Sequence, residues 1–176
     1  FQQEATPILK NPLTFLHETM VKAHAALGSY SAQFSMLETP RTTCVACVVQ
    51  GGHAYWVHVG DSRLYLYRRG ALISQTRDHS KVQYLVDQGL IGPGEVADHP
   101  DRNKVYSCLG GTVDPVIDLS RRTPLQLAPE LRRARRHHLA EVEGHKEPHL
   151  CILASRSWKL EVGSKFEVKA RFCRRM

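Results

Sequence analysis

The last third of the sequence lacks aspartate: none follows Asp118, and no Asp-Gly or Asp-Asn dipeptide occurs anywhere in the chain. Long apolar runs are absent too, because a run such as Cys44–Val49 is far shorter than the ~20 apolar residues that a membrane-spanning helix needs. With 42% hydrophobic and 23% charged residues, the 176-residue chain has the composition of one globular domain with a core. These features exclude a membrane-spanning protein and a wholly disordered chain.

Cysteine occurs without the spacing of a disulfide framework, at Cys44, Cys47, Cys108, Cys151 and Cys173. An odd number of cysteines indicates reduced thiols and a cytoplasmic protein. The Cys44-x-x-Cys47 spacing would suit a redox or zinc pair, but it falls in a predicted strand, where residues three apart point to opposite faces. We therefore assign both thiols to the core.

The excess of positive charge is confined to one end of the chain. Residues 1–130 contain 12 Lys and Arg against 12 Asp and Glu, whereas residues 131–176 contain 12 against 5, which accounts for the whole net charge of +7. The basic run Arg132–His138 has no interleaved aromatic residues, so a solvated surface is favoured over nucleic-acid binding. We predict a domain over residues 1–130 and an irregular basic tail over residues 131–176.

The domain pattern begins with a helix and continues with strands. Asn11-Pro12 is a helix start, and apolar residues recur at helical spacing as far as Gly28, a stop signal, so we predict about four turns lying on a sheet. The uncharged run Thr42–Gln50 predicts a strand covered on both faces, and Gly51-Gly52 a tight turn. Further strands complete a predicted antiparallel meander: His53–Val59, Arg63–Arg68 and Leu72–Gln75.

A helix and a turn-rich loop follow the strands. Ser80 is a cap and Gly89 a stop for a short helix over residues 81–88. Turn residues continue from there, and Val105–Leu109 returns to a strand-like pattern. We predict that residues 80–108 form a flap over a binding surface.

Five short motifs occur in order along this domain: Thr42-Thr43, Gly60-Asp61-Ser62-Arg63, Thr76-Arg77-Asp78-His79-Ser80, His99-Pro100-x-Arg102-Asn103 and Leu109-Gly110-Gly111. In this order the chain resembles the bacterial branch of the metal-dependent PPM (PP2C-type) serine/threonine protein phosphatases, over roughly residues 13–127. The resemblance implies an α+β fold, a PP2C-like β-sandwich of antiparallel sheets flanked by helices. We expect that sandwich to be partial here and to end in the irregular basic tail.

The resemblance also implies an activity, the removal of phosphate from phosphoserine and phosphothreonine in proteins. In the family, two or three divalent ions, Mn²⁺ or Mg²⁺, are held by several aspartates and supply the attacking hydroxide. Asp61 is the one metal-site carboxylate of the family that this chain matches. An aspartate in a turn also commonly accepts backbone hydrogen bonds, so both roles stay open. The implied partners are phosphoproteins, for a cytoplasmic monomer that binds neither membrane nor nucleic acid.

The charged residues beside Asp61 carry three further interpretations. Arg63 could bind phosphate or pair with a neighbouring carboxylate. Asp78-His79 could suggest a general base, but no nucleophile lies beside it, and Asp78-His79-Ser80 is well explained as helix-start chemistry. We expect Arg102-Asn103 to hold the flap to the sandwich.

The chain departs from the family in its other metal motifs. The early Asp-Gly-x-Gly-Gly-His motif is expected upstream of Phe1, and Gly51-Gly52-His53, which looks like part of it, is better explained as a hairpin turn. The later Asp-Gly and Asp-Asn motifs are expected after Pro129, where the aspartate-free tail stands, as a shifted reading frame or a fusion would produce. One carboxylate cannot hold a binuclear cluster, so we expect impaired activity. The alternative is a non-catalytic, PPM-like module that binds a partner.

The tail contains a second set of possible ligands. His145-x-x-x-His149-x-Cys151 has the residue types that zinc prefers, at close spacing. It lacks a fourth ligand at a recognisable distance, so we interpret the pattern as a chance occurrence in a His-rich segment.

Overall fold

The computed structural model describes residues 8–68 and 71–125, and the backbone of three further strands at residues 149–153, 158–162 and 166–171. These parts form two antiparallel sheets, with two helices outside them. The predicted α+β class and the antiparallel sandwich are confirmed. Predictions for the remaining residues, such as the basic run Arg132–His138, lie outside the described residues.

The first helix, α1 (Pro12–Gln33), begins where the sequence predicts, because the Asn11 side chain accepts a hydrogen bond from the backbone N–H of Thr14. The predicted end was wrong, since the helix continues for five residues past Gly28. A glycine inside a helix costs only about 1 kcal/mol, and Ser31 beyond it is buried against the protein. In the described residues, neither α1 nor any other helix combines the length and apolar character needed to cross a bilayer.

The first hairpin follows the prediction closely. Strand β1 (Cys44–Gln50) pairs with β2 (His53–Val59) in full antiparallel register. Gly51 and Gly52 both adopt positive φ values, of 57° and 71°, as a two-residue hairpin turn requires. The interpretation of Gly51-Gly52-His53 as a turn is therefore confirmed.

The predicted four-strand meander was wrong in one connection. Strand β3 (Arg63–Arg68) does not return along β2 but pairs with β4 (Ala71–Gln75) in the other sheet. The first sheet has the order β5 (Asp118–Leu119), β2, β1, β7 (His149–Leu153), with β6 (Thr123–Pro124) also pairing with β2. The second sheet has the order β4, β3, β9 (Phe166–Arg171), β8 (Trp158–Val162). Residues 60–63, called here the Asp61 turn, carry the chain from one sheet to the other. Their turn signals do not distinguish a hairpin from such a crossing.

The sequence patterns did not predict five of the strands. Two are very short, β5 (Asp118–Leu119) and β6 (Thr123–Pro124). The other three lie in the segment predicted to be an irregular tail: β7 (His149–Leu153), β8 (Trp158–Val162) and β9 (Phe166–Arg171). They extend both sheets, since β7 pairs with β1 and β9 pairs with β3. A division of the chain at residue 130 stays a prediction.

Apolar residues cover both faces of the first sheet. One cluster joins the two sheets and contains residues from β1, β2 and β3, and the second lies between the first sheet and α1. Cys47 belongs to the former and Cys44 to the latter, and both thiols are buried and outside any disulfide. Burial raises the pKa of the Cys44 thiol to about 11, so it stays protonated at neutral pH. The assignment of both cysteines to the core is confirmed.

The flap region begins with α2 (Lys81–Asp87), which Ser80 caps and after which Gly89 adopts a φ of 68°. Both boundary signals are confirmed. The strand-like pattern that follows gives only isolated bridges, between Val105 and Ser80 and between Leu109 and Thr42. Arg102 and Asn103, expected to hold the flap in place, are both exposed.

Ion pairs through Asp101 connect α2 to this loop. The Asp101 carboxylate accepts from Lys81 Nζ at 2.5 Å and from Lys104 Nζ at 2.7 Å. Hydrogen bonds from Lys104 and then Lys81 lower the pKa of Asp101 to about 2. Because the folded pKa lies below the ordinary value of about 3.9, this contact is present above that value and is lost as the pH falls towards 2.

We expect an NMR titration to find the Asp101 carboxyl half-protonated near pH 2. The variant Lys104→Gln should raise this pKa, since it removes the largest stabilising hydrogen bond. Lys10→Gln, at an exposed lysine outside the loop, should leave it unchanged. An ordinary pKa for Asp101 in the unaltered protein would show that the two lysines do not hold it in solution.

Candidate metal-binding turn

The Asp61 turn is fixed from one side by His79. The backbone N–H of Gly60 donates to His79 Nδ1 at 3.2 Å, and the backbone N–H of His79 donates to the carbonyl of Gly60 at 3.0 Å. The His79 side chain is only 3% exposed. The residue directly before Asp61 is therefore held by two hydrogen bonds to one buried residue.

An ion pair fixes the other side of the turn. Arg63 donates from Nε and Nη2 to the two carboxylate oxygens of Asp78, at 2.7 and 2.6 Å. This contact raises the pKa of Arg63 above its already high ordinary value, chiefly through the hydrogen bonds to Asp78. Of the two roles left open for Arg63, the structure shows the pairing with a carboxylate. Asp78 and His79 thus contact the turn, and within the predicted helix start Asp78-His79-Ser80 it is Ser80 that caps α2.

Two further contacts complete the attachment of the turn. Thr43 Oγ1 and Ser62 Oγ lie 2.8 Å apart in a buried hydrogen bond. The backbone N–H of Leu64 donates to Thr76 Oγ1 at 3.0 Å, and the N–H of Thr76 donates to the carbonyl of Leu64 at 3.0 Å. Residues 76–80 therefore run beside the turn and bond it at several points. Local sequence could not show this pairing, since 12 to 19 residues separate the partners.

Asp61 itself is half-buried at the head of this turn. Only one group of three potential ligands with their atoms close together is found among the described residues, and Asp61 is not part of it. The described residues therefore do not supply the several carboxylates that a binuclear Mn²⁺ or Mg²⁺ centre needs. Asp61 as a metal ligand stays a prediction.

That group consists of His58, His79 and Asp118, called here the histidine cluster. Each residue offers one ligand atom, and these atoms lie within 4.8 Å of one another. His58 Nε2 lies 2.7 Å from the carbonyl oxygen of Arg77, and burial is the main cause that lowers the pKa of His58. Sequence reasoning missed this cluster. The sequence places His58 two residues before the Asp61 turn, and nothing in it marked His79 or Asp118 as neighbours of His58.

The tail pattern ending in Cys151 cannot be compared with the histidine cluster. His145 lies outside the described residues, as do the side chains of His149 and Cys151. That pattern stays a sequence-level observation.

Comparisons with known proteins show which proteins this chain is similar to. No family model matches the chain. It is 39% identical over 99 residues to the serine/threonine protein phosphatase PstP of Mycobacterium tuberculosis, a match covering 54% of this chain and 19% of that protein. It is 32% identical over 97 residues to the serine/threonine phosphatase Stp of Listeria monocytogenes, covering 55% and 38%. The chain thus spans less than two fifths of the length of these curated relatives.

Solved structures match over nearly the whole chain. The crystal structure of PstP from Mycobacterium tuberculosis gives a TM-score of 0.61 at 24% identity, covering 97% of this chain and 76% of that one. The chain has the fold of the bacterial PPM-type phosphatases. Stp1 from Staphylococcus aureus agrees, with a TM-score of 0.63 at 20% identity and coverage of 97% and 72%. The resemblance predicted from the five motifs is confirmed, and the PPM-type fold accounts for the strands that the sequence reading missed.

Proposed function

We propose that this chain is part of a metal-dependent serine/threonine protein phosphatase in which Asp61 binds a divalent ion. The observation that carries the proposal is the fixed geometry of the Asp61 turn. His79 and the Arg63–Asp78 pair hold both flanks, so the carboxylate is presented on a rigid support at the point where the chain crosses between the sheets. The PPM-type fold and the phosphatase relatives support the same assignment.

The ion would be Mn²⁺ or Mg²⁺, because a carboxylate oxygen is the ligand these hard cations prefer. A second ion would need further carboxylates, which the described residues do not bring to Asp61. We therefore expect activity well below that of a complete binuclear centre. The chain would contribute one metal ligand, Asp61. Its proposed substrates are phosphoserine and phosphothreonine in cytoplasmic proteins, and it would act as a monomer.

A non-catalytic, PPM-like module that binds a partner is the second candidate. The finding that favours it is the small number of ligands around Asp61 in the described residues. The two candidates differ in one property, since an enzyme must turn over substrate whereas a binding module need not.

The test is hydrolysis of a phosphothreonine peptide by the full chain with Mn²⁺, followed as released phosphate. We expect slow, Mn²⁺-dependent turnover that falls about tenfold or more in Asp61→Asn, which keeps the side-chain shape but removes the charge. Asp114→Asn, at an exposed aspartate elsewhere, is the matched control and should be unaffected. A folded chain that releases no phosphate with Mn²⁺ would reject the enzyme and favour the binding module.

A further inference from the structure

The histidine cluster contains a buried polar atom that the protein leaves without a hydrogen bond. His79 Nε2 is fully covered and has no hydrogen-bond partner among the described residues, and its nearest charged atom is Asp118 Oδ2 at 3.4 Å. Buried polar groups are almost always satisfied, so this nitrogen indicates an additional group at the cluster, either a water that accepts its N–H or a cation that replaces the proton. Two nitrogens and a carboxylate oxygen within 4.8 Å of one another are suitable ligands for a cation.

We propose that His58, His79 and Asp118 bind a zinc-class divalent cation, at a site separate from the one proposed at Asp61. Imidazole nitrogen suits Zn²⁺ and related borderline metals, whereas Mn²⁺ and Mg²⁺ of the family centre prefer oxygen. Two ligands on one tetrahedral zinc ion lie about 3.3 Å apart, given zinc–ligand bonds of about 2.0–2.2 Å. The measured 3.4 Å between His79 Nε2 and Asp118 Oδ2 matches that spacing.

The surroundings of His58 fit the role of a ligand. A histidine that binds a metal commonly donates its other ring N–H to a backbone carbonyl. His58 Nε2 lies 2.7 Å from the carbonyl of Arg77, so the proton sits on Nε2 and the lone pair on Nδ1 stays available.

The His79 ring is held in position before any ion binds. It packs between His58, with ring centroids 4.7 Å apart, and Tyr106, with centroids 5.6 Å apart. A cavity of about 340 Å³ lined by His58 and Asp118 gives an ion a path to the cluster. Three protein ligands leave the fourth tetrahedral position to water, as in open zinc sites.

Binding has a specific consequence for the Asp61 turn. With His79 Nδ1 accepting from Gly60 N–H, the proton of the neutral ring resides on Nε2. A cation on Nε2 requires this proton to move to Nδ1, which can then no longer accept from Gly60. Occupying the site therefore removes one of the two hydrogen bonds that hold Gly60, and the backbone amide of Gly60 should become more exposed to exchange.

The experiment is calorimetric titration of the metal-free full chain with Zn²⁺ alone. We expect one Zn²⁺ to bind, with the affinity reduced about tenfold or more in Asp118→Asn. Asp118 is half-exposed and asparagine has the same shape, so this variant should remain folded. Asp114→Asn, at an exposed aspartate outside both sites, and the double variant His145→Ala/Cys151→Ala should bind Zn²⁺ as the unaltered chain does. Unchanged binding in Asp118→Asn, or loss of binding in either control, would overturn the proposal.

NMR on the unaltered chain gives a second test that needs no variant. Zn²⁺ should shift the ring nitrogens of both His58 and His79, and hydrogen exchange of the Gly60 amide should accelerate. Ring nitrogens that do not respond to Zn²⁺ would reject the site. Both readouts report binding rather than turnover, so either result leaves the phosphatase assay to be judged separately.

Discussion

Gly60→Ala should destabilise the protein by about 4 kcal/mol, measured by urea unfolding. Gly60 has a φ of 94°, a conformation that alanine adopts only with strain. A Cβ at this position would also clash with the Thr43 side chain, which is buried and hydrogen-bonded to Ser62. Backbone strain and overpacking each cost about 1–3 kcal/mol, and here they act together.

Gly89→Ala is the matched control for this prediction. Gly89 also has a positive φ, of 68°, but nothing lies within 4 Å of the position that a Cβ would occupy. Only the strain of about 1 kcal/mol should therefore appear. Equal losses of unfolding free energy in Gly60→Ala and Gly89→Ala would mean that the contact with Thr43 does not constrain the turn.

Arg63→Ala should be the second most damaging change, with a loss of about 3 kcal/mol in the free energy of unfolding. The Asp78 side chain is 8% exposed, so removing its guanidinium partner leaves a carboxylate buried without its counter-charge. Asp78→Ala should cost less, because the Arg63 side chain is 45% exposed and water can solvate its charge when the partner is lost. A larger loss of unfolding free energy in Arg63→Ala than in Asp78→Ala is the result that would support this prediction.

The double variant Arg63→Ala/Asp78→Ala closes the thermodynamic cycle. We expect it to be no less stable than Arg63→Ala alone, since the second change removes the buried charge that the first left unpaired. Additive losses would show that the pair does not interact in solution. Phosphate release by these variants would also fall if the pair positions Asp61, because the turn loses support on one flank.

Helix starts and the hairpin turn were predicted correctly, because the interactions that determine them lie within a few residues of one another. Asn11 capped α1, Ser80 capped α2, and the Gly51-Gly52 turn set the register of the first hairpin. The uncharged run at β1 predicted its burial on both faces, and the structure covers one face with α1 and the other with the second sheet. The prediction of α1 failed at its end, because contacts beyond Gly28 outweighed the weak preference of one glycine.

Local sequence patterns did not predict interactions between residues that are far apart in the chain. The partners of the Asp61 turn are residues 76–80, and the third member of the histidine cluster is Asp118, which pairs with His58 across two strands. Asp78-His79-Ser80 was interpreted as helix-start chemistry, and Ser80 does cap α2, but Asp78 and His79 have other partners. Only the folded chain showed that both side chains turn instead towards residues 60–63.

The sequence by itself determined the family resemblance, the helix caps and the first hairpin, and it supplied the prediction of Asp61 as a metal ligand. These depend on residue type and on spacing over a few positions, which a sequence states directly. Tertiary structure decided the division of the strands between two sheets, the pairing of β7 and β9 with the core, and the partners of His79 and Arg63. Those outcomes depend on which distant segments bury each other's apolar faces and satisfy each other's polar groups, and that selection is made by the whole chain together.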